Sequence, residues 1–192
     1  MLISTSHISF TPAPCNRGGI YTIAPASICD ICHLDAIYDT IHAAYRGNHP
    51  NSWTCKLELV NGERISYNAL RECVKTSGQD GYMLLIAWSE CKQVRGTVEV
   101  RPVMIEEEAC GLIGLLAVHP EMQSMGVGKR LVETAEVYTR EVLRYKHAAV
   151  WVMNTAENIM KWYLRMGYAM TRETRPHPTC SSVHFHVLKK VL

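Results

Sequence analysis

The sequence lacks the features of a membrane protein, an exported protein or a nucleic-acid-binding protein. No apolar run reaches the roughly 18 residues of a membrane-spanning helix, and the first ten residues have neither the charged start nor the apolar block of a signal peptide. Lys and Arg never occur in runs longer than two, and the formal net charge is only +2, which provides no basic surface for a nucleic acid. We therefore expect a cytoplasmic protein with no membrane or nucleic-acid partner. It would be a monomer or homodimer that acts on a small molecule or a peptide.

The eight cysteines are scattered, and no second C-x-x-C pair accompanies Cys29 and Cys32. A structural zinc site of this type would need that second pair. Together with His33 the spacing is also that of c-type haem attachment, but haem attachment requires export. Residues 28–41 instead place apolar side chains on one face of a helix, with the cysteines at its border. We expect reduced thiols and no metal.

One stretch, Leu112 to Ala135, organises the rest of the chain. The apolar run from Cys110 to Val118 is short enough for a buried strand, and from Gly126 onward apolar residues recur every three or four positions, as on one face of a helix. Gly126 and Gly128 stand where that helix begins. Free N–H groups and the helix dipole make such a start suitable for a phosphate, although a tight turn alone would also explain the glycines. The spacing fits neither a Walker A loop nor a dinucleotide-binding fingerprint.

Two motifs indicate a family. Gln123, Gly126 and Gly128 fill the pattern Gln/Arg-x-x-Gly-x-Gly/Ala, which resembles the acyl-CoA-binding motif of the GNAT superfamily of N-acyltransferases. A second block, from Trp162 to Tyr168, resembles the W-Y-x-x-x-G-Y/F segment that follows the acyl-CoA strand in the same superfamily. Shorter matches elsewhere in the chain resemble a group of bacterial and fungal GNAT proteins.

The resemblance implies an α/β protein with the GNAT fold, in which a mixed, mostly antiparallel central sheet of about seven strands is flanked by about four helices. We expect one GNAT acyltransferase domain over residues 20–192, preceded by a loose N-terminal arm over residues 1–19. Alternation and turn residues predict seven strands, at Ile20–Ala24, Tyr82–Trp88, Val94–Val100, Cys110–Val118, Ala148–Met153, Tyr168–Thr174 and Val183–Lys189. Caps and helical periodicity predict four helices, starting near Ser27, Ser66, Gly126 and Asn154.

Acetyl-CoA is the co-substrate that the resemblance implies. The residues expected to bind it are Leu116, Ala117, Val118, Gln123, Ser124, Met125, Gly126, Val127, Gly128, Lys129, Asn154 and Tyr163. Tyr163 would donate a proton to the leaving sulfur. A backbone N–H, at Leu116 or Val118, would stabilise the oxyanion.

The resemblance does not identify the general base, for which Glu108 is a candidate together with Glu58, His119 and a chain of water molecules. The acceptor is expected to lie against the end of the first helix and the loop that follows it. The residues expected to contact it are Tyr45, Arg46, Trp53 and Thr54.

The function implied is an acetyl-CoA-dependent N-acetyltransferase, which moves the acetyl group to a primary amine of a small molecule or peptide by direct transfer in a ternary complex. Two alternatives stay open at this point. The chain could bind acyl-CoA as a sensor without turning it over, or the loop around Trp53 could dock a partner protein.

Overall fold

The structure, a computed structural model, describes residues 13–14, 20–45, 63–178 and 180–192. Most of the predicted N-terminal arm and the loop that holds Arg46, Trp53 and Thr54 lie outside these residues. The described residues therefore leave the domain boundary at residue 20 as a prediction. The two described residues of the arm, Ala13 and Pro14, pair with the next strand.

Within the described residues, eight strands form one mixed sheet in the order β1-β2-β3-β4-β5-β6-β8-β7. Every neighbouring pair is antiparallel except β5 with β6. Their bounds are β1 Ala13–Pro14, β2 Ile20–Pro25, β3 Met83–Ser89, β4 Val94–Ile105, β5 Glu108–Val118, β6 His147–Met153, β7 Ala169–Pro176 and β8 His184–Val191. The seven longer strands are the predicted ones, so the predicted mixed, mostly antiparallel sheet is confirmed.

In the part of the chain that the structure describes, four α-helices cover the two faces of the sheet, namely α1 Leu34–Tyr45, α2 Tyr67–Thr76, α3 Val127–Glu141 and α4 Glu157–Arg165. Apolar side chains of α1 and α2 pack on one face, against β3 and the last residues of β5. Those of α3 and α4 pack on the other face. A 3-10 helix, Ile28–His33, leads into α1. None of the described helices has the length and apolar character needed to span a bilayer.

The helix boundaries agree with the sequence in part. Ser66 caps α2 as predicted, since its Oγ accepts a hydrogen bond from Ala69 N–H at 3.2 Å. The cap of α4 is Ala156 rather than Asn154, because the chain of Asn154 is still paired with β8. Helix α3 ends at Glu141, earlier than its apolar spacing suggests. The chain must reverse there to enter β6, and Arg144 takes a left-handed φ of 59°.

The strands β5 and β6 separate part of the way along their length. They pair over only four residue pairs, of which Ile113 with Val150 is the last. Beyond it β5 continues to Val118 beside β4, and β6 continues to Met153 beside β8. We call the space between residues 114–118 and 151–153 the β5–β6 gap.

A β-bulge lies at the start of this gap. Leu115 and Leu116 both stand opposite Val98, and Leu115 has a φ of 46°. The extra residue reverses the alternation of side chains along β5. Leu115 and Ala117 therefore pack toward α1 and α2, whereas Leu116 packs against the core on the other face.

Candidate active site

The loop before α3 forms an N-terminus with free donors. Ser124 and Gly126 have left-handed φ angles of 62° and 89°. Gly126 is the N-cap and offers no capping side chain, and the first bond of the helix runs from Arg130 N–H to Gly126 O at 3.0 Å. The N–H groups of Val127, Gly128 and Lys129 therefore lie outside the helical ladder, at the positive end of the dipole.

The two glycines of the loop are present for different reasons. Gly126 is required by its left-handed backbone, whatever binds there. Gly128 has no such requirement, and a Cβ added to it would meet only Val118 Cγ2, at 3.4 Å. Glycine destabilises a helix by about 1 kcal/mol relative to alanine. Packing within the described residues does not explain Gly128, whereas a phosphate held close to the backbone would.

The remaining loop side chains hold the loop in place. Gln123 Nε2 donates to Val118 O at 3.1 Å, which fastens the loop to the end of β5. Val127 is fully buried, and Met125 packs against the same core, so these two residues can offer a ligand only their backbone. Lys129 is exposed, with its Nζ 3.8 Å from Glu133.

The backbone of β5 presents two amides to the β5–β6 gap. His119 N–H donates to Arg95 O of β4 at 2.9 Å, and amides of successive residues in a strand point in opposite directions. The amides of Val118 and Leu116 therefore face away from β4, toward the gap. The amide of Ala117 faces β4, with Thr97 as its partner residue. The pairing of the strand therefore makes the amide of Ala117 unavailable to the coenzyme that Ala117 was expected to bind.

Glu99 of β4 is a functional candidate that the sequence reasoning missed. A Cβ added at Gly114 would lie only 2.6 Å from Glu99 Oε1, so the carboxylate rests on bare backbone where the gap begins. Tyr82 Oη donates to Glu99 Oε2 at 3.4 Å. Burial, followed by the charge of Glu99, raises the pKa of Tyr82, so this phenol stays protonated as a donor. The sequence did offer a signal for Glu99, namely a carboxylate between the apolar residues of β4, next in the chain to a strand, β5, that contains glycine.

Tyr45, one of the residues expected to contact the acceptor, lies beside the gap. Its Oη donates to Leu116 O at 3.1 Å, which connects the end of α1 to the bulged part of β5. The guanidinium carbon of Arg64 lies over the Tyr45 ring, 5.1 Å from its centroid. The other three acceptor-side candidates, Arg46, Trp53 and Thr54, lie outside the described residues.

Tyr163 of α4 approaches from the opposite face of the sheet. It is 5% exposed, and its ring packs edge-on against Trp162 at 4.7 Å and Tyr168 at 5.3 Å between centroids. Burial raises the pKa of Tyr163, and Tyr45 and Glu136 raise it further. The phenol therefore stays protonated at neutral pH.

Glu108 does not lie near these residues. It begins β5, eight residues before Leu116, which is roughly 26 Å along a strand. Its carboxylate accepts a hydrogen bond from Lys189 Nζ at 2.6 Å, and this bond lowers the pKa of Glu108. The position at the far end of the strand and the bond to Lys189 make Glu108 unsuitable as the general base, which corrects the sequence-based candidate.

Two further candidates have structural partners. Asn154 is tied to the start of β8, because its N–H donates to His184 O at 2.9 Å and its Oδ1 accepts from His184 N–H at 3.4 Å. His119 follows β5, and its Nδ1 lies 3.9 Å from Glu121. The cysteines of the described residues are free thiols, and no cluster of three or more metal-ligating side chains occurs among these residues.

The sequence matches the model of the acetyltransferase (GNAT) family over residues 36–168. Because this match spans more than half of the chain, the protein belongs to the GNAT acetyltransferase family. No curated protein matches the chain in sequence.

Solved structures share the fold at low sequence identity. The GNAT domain of PAT from S. lividans has a TM-score of 0.67 at 15% identity and covers 95% of this chain and 96% of its own. A spermidine N-acetyltransferase SpeG chimera from Vibrio cholerae and hSSAT has a TM-score of 0.65 at 13% identity and covers 89% and 95%. PaiA N-acetyltransferase from Thermoplasma acidophilum, solved with coenzyme A, has a TM-score of 0.60 at 17% identity and covers 90% and 99%.

Membership of this family defines the general chemistry of the chain. The protein is an acyltransferase that uses acetyl-CoA as its co-substrate. The open first turn of α3 and the bare backbone at Gly128 fit a bound pyrophosphate.

Proposed function

We propose that the protein is an N-acetyltransferase that moves the acetyl group of acetyl-CoA directly to a primary amine, on a small molecule or a peptide, while both substrates are bound. The observation that carries the proposal is the position of Glu99. Its carboxylate lies against Gly114 at the mouth of the β5–β6 gap. A base at that point lies beside the outward-facing amides of β5.

Acetyl-CoA supplies the activated acetyl thioester, and the chain supplies the groups that hold it. The backbone N–H groups from Ser124 to Gly128, with that of Lys129, are proposed to bind the pyrophosphate, since they surround the open first turn of α3. The amides of Leu116 and Val118 are proposed to pair with the pantetheine arm. Gln123 supports both groups, because its bond to Val118 O joins the loop to the strand.

In the proposed reaction the N–C bond of the product forms as the C–S bond of the thioester breaks. The acceptor enters as an ammonium and must lose two protons. Glu99 accepts one and passes it to solvent, with Tyr82 steadying the carboxylate. The other ends on the coenzyme thiol. Tyr163 is proposed to relay it, giving its own proton to the sulfur and recovering one from the amine, directly or through solvent. The N–H of Leu116 or Val118 stabilises the negative charge on the carbonyl oxygen.

The exchange Glu99→Gln tests the proposal. It keeps the shape of the side chain and removes its basicity, so we expect kcat to fall by about 10²- to 10⁴-fold, the usual contribution of a general base. The affinity for acetyl-CoA, measured by calorimetry, should stay unchanged. Glu108→Gln is the matched rival. A protein in which Glu108→Gln lost activity and Glu99→Gln kept it would overturn the proposed base.

A further inference from the structure

The acceptor side of the sheet carries a cluster of cations and aromatic rings next to Glu99. Trp151 is the first residue of β6 beyond its last pair with β5. The guanidinium carbons of Arg101 and Arg175 lie over the Trp151 ring, 5.7 and 5.9 Å from its centroid. Arg101 is two residues after Glu99 on β4 and so points to the same face. We call Arg101, Trp151 and Arg175 the Trp151 cluster.

The two arginines of this cluster differ in their ion pairs. Arg175 pairs with Glu173. Arg101 is exposed and forms no ion pair with any carboxylate of the described residues. Stacking covers the flat side of a guanidinium and leaves its N–H donors free at the edge, in the fork that matches a carboxylate.

The cluster also has a surplus of hydrogen-bond donors. Trp151 Nε1 and Arg175 Nε are buried and have no acceptor among the described residues, and both atoms can only donate. Outside the cluster, Arg64 stacks on Tyr45. Its pKa is raised chiefly by Tyr45, and the charge of Glu99 also raises it. A second guanidinium is thus within electrostatic reach of Glu99, and Arg101 has no carboxylate partner of its own among the described residues, so the cluster favours an anion over a polycation.

We infer that the acceptor is a small amino acid, whose amine faces Glu99 and whose carboxylate is bound by Arg101 on the Trp151 ring. This inference rests on the proposed amine acetylation at the same site and goes beyond it by naming the acceptor class. The products are then an N-acetylated amino acid and the thiol of coenzyme A. Polyamines, which carry no carboxylate and several positive charges, are poor acceptors on this reasoning.

The test compares amino acids with their amides, because an amide keeps the amine and the shape and loses only the negative charge. Thiol release is measured for α-, β- and γ-amino acids, for the matching amides, and for diamines of similar length. A charge-assisted hydrogen bond typically contributes enough for about a 10- to 100-fold effect. We expect kcat/KM of the best amino acid to exceed that of its amide by this factor, and diamines to be weaker still.

Variants at Arg101 connect the preference to the cluster. Arg101→Gln should raise the KM for the amino acid and leave the KM for acetyl-CoA unchanged. The kcat/KM of the amino acid should then be nearly equal to that of its amide. Arg101→Glu should reverse the preference and improve the turnover of diamines, a gain that a folding defect does not produce. Arg144→Gln removes an exposed arginine that pairs with Glu141 beyond the end of α3 and is the matched control, with no change in the ratio.

Two outcomes overturn the inference, and they are distinguishable. If amides and amino acids are acetylated equally and Arg101→Glu changes nothing, the acceptor class is wrong while amine acetylation stands. If no amine of any kind is acetylated although acetyl-CoA binds, the proposed function fails and the inference fails with it.

Discussion

At the scale of single residues, burial determines how Tyr163 can act. Burial raises the pKa of its phenol, so the hydroxyl is always protonated but is a weaker acid than an exposed tyrosine. A thiolate with a pKa near that of cysteine, about 8.5, is already a tolerable leaving group at neutral pH. We therefore expect Tyr163 to assist mainly as a hydrogen-bond donor to the sulfur.

Tyr163→Phe should lower kcat by no more than about 100-fold, the low end of general acid catalysis. The dissociation constant for acetyl-CoA should hardly change, because the ring still packs against Trp162 and Tyr168. Single-turnover kinetics and calorimetry measure the two quantities separately.

Tyr168→Phe is the matched control for this prediction. Its hydroxyl bonds to Glu136 at 3.0 Å, away from the gap, so the control should lose stability and keep its turnover. Equal single-turnover rates for Tyr163→Phe and the native protein would show that Tyr163 only packs.

Gly128 allows a prediction in which stability and binding change in opposite directions. Gly128→Ala should stabilise α3 by up to about 1 kcal/mol, since helix propensity favours alanine and the new Cβ meets only Val118 at 3.4 Å. It should weaken coenzyme A binding, because the methyl group occupies the approach to the amides. Thermal unfolding and titration with coenzyme A give both numbers. Gly126→Ala is the control and should lower the stability, because Gly126 has a left-handed φ. If Gly128→Ala were more stable and kept its native affinity for coenzyme A, the loop would be a tight turn with no role in binding the pyrophosphate.

At the scale of elements, the hairpin between β4 and β5 has an unusual turn. Glu106 and Glu107 have positive φ angles of 49° and 66°, a conformation in which asparagine and glycine are the common residues. Charges on β8 and β7 support it. Lys189 Nζ lies 3.0 Å from Glu106 and 2.6 Å from Glu108, and Glu106 N–H donates to Glu173 Oε1 at 2.6 Å.

This network predicts a pH-dependent stability. The hydrogen bonds from Lys189 lower the pKa values of Glu106 and Glu108. Their contribution is therefore complete above the pKa of an unfolded glutamate, about 4.3, and is lost as the pH falls through the lowered folded values. The difference in Tm between the native protein and Lys189→Met should be largest near pH 7 and should shrink below about pH 4.

Lys161→Met is the control for the hairpin. It removes an exposed pair with Glu157 at 3.7 Å within one helix, which should contribute little at any pH. If Lys189→Met differed from the native protein by the same amount at pH 3 and pH 7, the network would not act through ionised carboxylates.

Local patterns in the sequence sufficed to predict the strands and the start of α2 and α3. They depend on alternation, caps and glycine, which are local properties. The cap of α4 lies two residues beyond the expected Asn154 because it depends on where the chain still pairs with β8. The end of α3 depends on strand pairing in the same way. Helix α3 must stop where the chain can enter β6, whose first residue pairs with Cys110. The sequence of α3 itself does not show this constraint.

At the scale of the whole molecule, the part of the site that is a local motif could be predicted from the sequence, and the part that depends on strand pairing could not. The loop from Gln123 to Gly128 is a local motif, and the sequence identified it. The base proposed from the structure was not among the sequence-based candidates, because Glu99 reaches Gly114 only through the register of β4 on β5. Glu108 begins β5, at the opposite end of the strand from Leu116.

Under the proposed function the sheet separates the two substrates. The coenzyme is held by α3 and the amides of β5, and the acceptor lies on the side of α1 and α2. Tyr163 and Tyr45 belong to helices on these opposite sides, and the sheet is interrupted between them where β5 and β6 separate.

The bulge at Leu115 makes β5 sensitive to the number of its residues more than to their identity. An exchange of one apolar residue for another in the strand alters packing by a methyl group or two. Deletion of Leu115 or Leu116 would remove the extra residue opposite Val98. The flanking pairs, Glu99 with Gly114 and Thr97 with Ala117, could keep their register, but β5 would lose the local bend and twist of the bulge at the point where it separates from β6. Among related genes, β5 should therefore tolerate many substitutions and very few length changes.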